Sequence, residues 1–404
     1  MSDFYQTGVV STFHRLGVLD REKLDAELAW YSEERPIALV LPSLYSEING
    51  EALKGIVREL NEVKYVREVI VALGSATADE FRHARDFFSG LPQKTRIIWN
   101  SGPRVSEIYE AIEGAGLPIG EPGKGRSAWM AYGYVLSQQE FNVIALHDCD
   151  IISYGRNLLA RLCYPVVNPN LDYDFCKGFY SRVTDRLHGR ATRLLVTPLI
   201  RSLQKIIGYH PLLVFFDSFR YPLAGEFAMD IGMARINNIP GDWGLEVGVL
   251  AEVYRNTSLR RVCQVDIAEN YEHKHQPLSP EDATKGLHKM CVDIAKSLFR
   301  TLSSEGIVFS SGLFRTLVAT YASTAQDMLK RYEDDAAVNG LYFDRHEENL
   351  AVDTFTRGVR KAADIIMEDP LGVPLIANWD RMTSAIPDIL TRIGKAVEED
   401  NTRD

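Results

Sequence analysis

The chain has 404 residues and is 46% hydrophobic, 10% aromatic and 25% charged, the composition of an ordinary soluble protein with room for two or three domains of roughly 100 to 200 residues. Its 45 basic and 55 acidic side chains leave a formal charge of -10. That balance excludes a chain whose main task is to coat nucleic acid or an anionic membrane, so an anionic ligand must meet a local positive patch.

No stretch approaches the ~18 apolar residues of a membrane span, and the opening MSDFYQTGVVSTFHRLG lacks a basic flank followed by an apolar core. The expectation is a cytoplasmic protein. The five cysteines Cys149, Cys163, Cys176, Cys263 and Cys291 never form a CxxC pair and read as reduced and mostly buried.

Apolar runs at 37–41, 66–73, 95–99, 142–146, 175–179 and 261–265 alternate with helical spacing at 50–62, 78–88 and 126–137. That alternation predicts an α/β fold with a mainly parallel sheet of the nucleotide-binding kind. From about residue 279 the pattern becomes helical only, over 281–302, 312–331, 347–368 and 384–399. The reading is one domain over 1–278 and a helical C-terminal region over 279–404, with the acidic tail EEDNTRD frayed.

Five features carry chemistry, one of them made of two segments. At 120–129, GEPGKGRSAW places Lys124 between glycines where a helix opens, a setting that suits an anion. At 143–151, VIALHDCDI runs an apolar strand into Asp148 and Asp150. Hard oxygens at the carboxyl end of a parallel strand suit Mg²⁺ or Mn²⁺ and, through it, a diphosphate; the bland alternative is a solvated turn.

Between 177 and 193, Lys177, Arg182, Arg186, Arg190 and Arg193 stand against Asp185 alone, a local charge of +4. If the segment is helical, the last four arginines share a face suited to phosphate or carboxylate. Segments 221–228 (YPLAGEFA) and 241–248 (GDWGLEVG) offer close backbone approach, a stacking face at Trp243 and an acceptor for sugar hydroxyls at Glu246. Finally, 271–278 (YEHKHQPL) supplies His273 and His275, with histidine able to complete an oxygen-rich metal site.

Taken together, Gly-Lys-Gly, Asp-Cys-Asp, Gly-Arg-Ala-Thr, Pro-Leu-Ala-Gly-Glu and the late histidine resemble the glucosyl-3-phosphoglycerate synthases and the related mannosyl-3-phosphoglycerate synthases, retaining glycosyltransferases of the type A fold. The resemblance spans about residues 13–278. It implies a divalent metal held by Asp150 and His273, with Asp148 and Cys149 toward the ribose and diphosphate. Lys124 then lies near the nucleotide, Pro42, Leu44 and Glu47 at the uridine, and Trp243 on the donor side.

By the same resemblance Gly189, Arg190, Ala191, Thr192 and His275 bind the acceptor, Glu246 holds the donor sugar, and the backbone at Leu223 and Ala224 positions it. The implied partners are a nucleotide sugar, a phosphorylated small acceptor and a second copy of the chain in a homodimer. Two donor-side stretches depart from the family pattern. Residues 42–47 read PSLYSE without the usual asparagine, and the second strand ends ALGS rather than near Asp-Ser. UDP-glucose with 3-phospho-D-glycerate is the expected pair, with GDP-mannose as the alternative donor. A nucleotidyltransferase and a non-catalytic nucleotide-sugar-binding protein are the competing classes.

Overall fold

A computed structural model describes residues 6, 8–17, 20–241, 243–272, 277–372 and 375–402. Eight strands form one sheet: β1 (Ser11–Phe13), β2 (Ile37–Ser43), β3 (Val66–Leu73), β4 (Lys94–Trp99), β5 (Val143–Leu146), β6 (Phe175–Tyr180), β7 (Phe227–Asp230) and β8 (Val262–Ala268). Their order is β1-β8-β6-β7-β5-β2-β3-β4. All neighbouring pairs are parallel except β7, which runs antiparallel to both β5 and β6.

Strands β2 and β5 are buried along almost their whole length because both faces of the sheet are covered there, as central strands of a parallel sheet require. On β2, Ala38 and Val40 join one hydrophobic cluster while Leu39 and Leu41 join the cluster on the opposite face. The sequence reading of the sheet lacks edge strand β1 and also antiparallel β7, whose start it took as part of a ligand loop over 221–228. The consequence of β7 is topological. Leu146 and Lys177 both stand opposite Phe227, so the carboxyl ends of β5 and β6 meet the loop entering β7 at one edge of the sheet.

The C-terminal helices Gly286–Ser304, Ser311–Val338 and Arg345–Glu368 contribute Phe299, Leu317 and Phe355 to the cluster that contains Val40 and Leu146. Trp379, at the start of helix Trp379–Ala385, stacks on Trp129 at 4.0 Å and 14°. The expected helix over 384–399 is instead two, Trp379–Ala385 and Ile389–Asn401.

The frayed tail is corrected as well. Asn401 bonds the backbone of Ile97 on edge strand β4 through both its oxygen and its nitrogen, at 2.9 and 2.8 Å, and Glu398 accepts from Arg96 at 2.9 and 2.7 Å. The tail's polar groups thus satisfy an otherwise open sheet edge. All five cysteines are free and buried, as expected. Among the described residues no helix is long and apolar enough to cross a membrane.

Candidate active site

At the shared edge, Lys124 opens helix Lys124–Gln138 with Gly123 as its cap. A side chain on Gly123 would come within 2.5 Å of the Gly241 carbonyl, and one on Gly125 would collide with that of Pro240. The two glycines of Gly-Lys-Gly therefore let the 240–241 loop lie against the helix start. Lys124 Nζ reaches Asp148 Oδ1 at 2.6 Å and Glu246 Oε1 at 2.9 Å. Burial opposes its charge, but Asp148 and Glu246 outweigh burial and hold the ammonium well above the ordinary lysine range.

Glu246 sits in the first turn of helix Leu245–Asn256 and is buried. Gly225, just before β7, leaves no room for a Cβ: the nearest atoms would be Asp148 Oδ2 at 2.5 Å and Lys124 Nζ at 3.0 Å. Asp150 is half-buried two residues on. Burial and then Asp148 push its carboxyl up, Lys124 pulls it down, and Glu47 and Glu226 add to the rise. Asp148, Asp150, Glu47, Glu226 and Glu246 thus outnumber the ammonium of Lys124 here, a negative surplus suited to a divalent cation.

Asp150 fits that cation as a hard oxygen donor. His273, the second expected ligand, and His275 lie outside the described residues. Among those described, no group of three or more His, Cys, Asp or Glu forms a metal cluster.

Several partners here were not anticipated. Lys177 interrupts the apolar strand FCKGFY, is 1% exposed, and donates to the Ala224 carbonyl at 2.6 Å; burial lowers it to about 8. The sequence reading counts Lys177 in the basic segment; its place inside a wholly buried strand is the signal that could have set it apart. Glu226, wholly buried, accepts from the hydroxyls of Tyr180 at 2.9 Å and of Tyr271, and burial followed by Asp148 raises its carboxyl. Those two rings stack at 3.7 Å and 5°, and Tyr221 lies 4.8 Å from Tyr180. The three tyrosines had no sequence pattern to mark them.

The basic segment follows. Gly189 adopts φ 75° beside the Tyr221 hydroxyl. Arg190 caps a π-helix, Ala191–Val196, while Val183 and Leu187 form an antiparallel bridge before it. The expected shared helical face of Arg182, Arg186, Arg190 and Arg193 is therefore corrected: the first two precede the helix, on a loop turned back by that bridge. Thr192 is buried, and its hydroxyl has no hydrogen-bond partner among the described residues.

Of the remaining expected residues, Pro42 is half-buried in β2, Leu44 is 59% exposed, and Glu47 lies in the short helix Tyr45–Ile48. Cys149 is buried, its thiol raised by burial. Leu223 and Ala224 are buried, and Trp243 is 38% exposed.

No family model matches the chain. The glucosyl-3-phosphoglycerate synthase of Persephonella marina is 46% identical over 404 residues, all of both chains. That of Methanococcoides burtonii is 38% identical over 399 residues, 98% of this chain and 97% of the relative. Among solved structures, glucosyl-3-phosphoglycerate synthase from Mycobacterium tuberculosis with Mn²⁺, UDP-glucose and phosphoglyceric acid matches with a TM-score of 0.54 at 22% identity, covering 74% of this chain and 89% of that one. The same protein with Mg²⁺ and UDP gives 0.53 at 21%, over 75% and 89%. At such identity the structural likeness shows the common fold.

Proposed function

The chain belongs to the glucosyl-3-phosphoglycerate synthase family of glycosyltransferases, and from that premise we propose that it transfers glucose from UDP-glucose to 3-phospho-D-glycerate with retention at the anomeric carbon. The observation that carries the reading is the Lys124–Asp148–Glu246 ion-paired group at the carboxyl end of β5. In a parallel α/β sheet that end is where nucleotides dock. The solved Mycobacterium tuberculosis relative with UDP-glucose and phosphoglyceric acid supports the choice of substrates.

In this proposal Pro42, Leu44, Glu47, Cys149 and Trp243 receive the nucleoside, and Lys124 and Asp148 lie at the diphosphate. Glu246 accepts from sugar hydroxyls, and Gly189, Arg190, Ala191 and Thr192, with His275, bind the acceptor. The unpartnered, buried Thr192 hydroxyl supports a polar ligand there. Asp150 and His273 are the residues that would hold Mg²⁺ or Mn²⁺. When bound, the ion neutralises charge gathering on the departing diphosphate.

The chain's own side chains favour front-face attack. Glu226 has both oxygens occupied by tyrosine hydroxyls, and Glu246 is paired with Lys124, so neither carboxylate is poised as a nucleophile for double displacement. The bond from the anomeric carbon to the diphosphate oxygen breaks as the acceptor oxygen bonds to that carbon from the same face. The acceptor proton passes to the leaving phosphate. Lys177 fixes the Ala224 carbonyl and with it the backbone proposed to orient the sugar.

The proposal extends to a cytoplasmic homodimer, which light scattering at twice the chain mass tests. Free buried cysteines support the compartment. The activity is tested with Mg²⁺, a panel of nucleotide sugars, and either glycerate or 3-phosphoglycerate, with products identified by mass. A glucosylated phosphoglycerate plus UDP is expected. Pyrophosphate release, a preference for GDP-mannose, or nucleotide-sugar binding without turnover would overturn the assignment.

A further inference from the structure

Arg190 is tied to the C-terminal helix Arg345–Glu368 rather than to its own loop. Its Nε donates to Glu348 Oε1 at 2.6 Å and its Nη2 to Glu347 Oε2 at 2.7 Å. Glu348 is 4% exposed, and its other oxygen accepts from Arg193 Nη2 at 3.1 Å. Arg193 in turn donates to the carbonyls of His188 and Leu187 and lies 4.9 Å over the Tyr332 ring. The preceding turn is fastened to the same region, since Tyr342 bonds the Asp185 carbonyl at 2.8 Å and carries Arg186 over its ring at 4.8 Å.

The two carboxylates differ in one respect that matters. Glu348 is enclosed and shared between two guanidinium groups, whereas the Glu347 side chain is 52% exposed. An enclosed carboxylate with both oxygens engaged fixes geometry. An exposed one is held by a screened, weak interaction that a doubly charged ligand can replace.

We infer that Glu348 is the positioning residue that sets Arg190 for the acceptor, and that Glu347 is a stand-in anion which the acceptor's phosphate displaces. This rests on the reading of Arg190 as an acceptor ligand. The C-terminal helices thereby act on specificity at the acceptor loop as well as on the core.

Steady-state kinetics of the full-length chain with UDP-glucose, Mg²⁺ and 3-phosphoglycerate test it. Glu347→Gln should lower the acceptor KM about two- to fivefold by removing a competitor worth a weak ion pair. Glu348→Gln should raise the acceptor KM severalfold, up to the roughly tenfold that removal of Arg190 itself would cause. The UDP-glucose KM should stay within about twofold in both. An acceptor KM unchanged in Glu347→Gln, or donor and acceptor constants moving together in Glu348→Gln, overturns the inference; should Glu348→Gln not fold, Glu347→Gln alone decides. Arg190→Ala separates the two levels. If it leaves the acceptor KM unchanged, the acceptor reading fails and takes the inference with it. If it raises that KM while the glutamate variants do nothing, only the inference fails.

Discussion

On the proposed donor side, Lys124, Asp148, Gly225 and Glu246 meet at the sheet's own carboxyl edge, brought there by the ends of β5 and β7 and by two helix starts. On the proposed acceptor side, Arg190 takes its partners from a helix 157 and 158 residues further along the chain. The first site is a product of strand order and close backbone packing. The second is a loop whose conformation is lent by an element outside the sheet. Damage to the donor side should therefore strike chemistry, and stability as well where it unpairs a buried charge, whereas damage to the acceptor side should register mainly as weaker binding of one substrate.

The sharpest contrast comes from Asp150→Ala, expected to lower kcat/KM by about 10²- to 10³-fold, with a melting temperature equal to or above that of the parent because a half-buried carboxylate repelled by Asp148 is removed. Metal-dependent activity retained in this variant would break the donor-side half of the comparison. Lys124→Met should destabilise the fold by about 3 kcal/mol, since buried Glu246 and neighbouring Asp148 lose their counter-charge. Adding Glu246→Gln should recover part of that loss in denaturant titrations, and strict additivity would argue against the coupling.

A pH test probes the same strand end. His147 is wholly buried, donates Nδ1–H to the Asp148 carbonyl at 2.9 Å, and leaves Nε2 without a hydrogen-bond partner among the described residues. Burial lowers it from 6.5 to about 4. Between those values the unfolded chain binds the proton and the folded one does not, so stability falls as pH drops from 6.5 toward 4 and the loss is complete below that. The expected cost is ~3 kcal/mol. His147→Gln should flatten the stability profile in that window; an unchanged slope would assign the acid sensitivity elsewhere.

Arg190→Ala should be the mildest, raising the acceptor KM on the order of tenfold with little change in the UDP-glucose KM. An equal rise in both would erase the distinction between the two sides.

Much of the donor side was legible from residues 120–129 and 143–151, because the features are local: a lysine between glycines at a helix start, and two aspartates after an apolar run. Glu246 and the Glu226 of Pro-Leu-Ala-Gly-Glu both stand in segments the sequence singles out, but their surroundings could not be read from it. Their difference lies in partners, tyrosine hydroxyls for one and an ammonium for the other. The basic segment was visible as charge, but its presumed helical face was wrong because Gly189 and the Val183–Leu187 bridge turn the chain before the π-helix begins.

By itself the sequence determined the alternating α/β pattern, the strand-end aspartates and the excess of local positive charge, which follow from periodicity and short-range spacing, and its motifs carried the family resemblance. Only the tertiary structure decided that β7 runs antiparallel, that Tyr180 and Tyr271 hold Glu226, that Glu347 and Glu348 grip Arg190, and that the acidic tail closes the β4 edge. These depend on hydrogen-bond and ion-pair partners far apart in the chain. Such groups gain their energy by satisfying one another once buried, and no local pattern records which distant residue will supply the match.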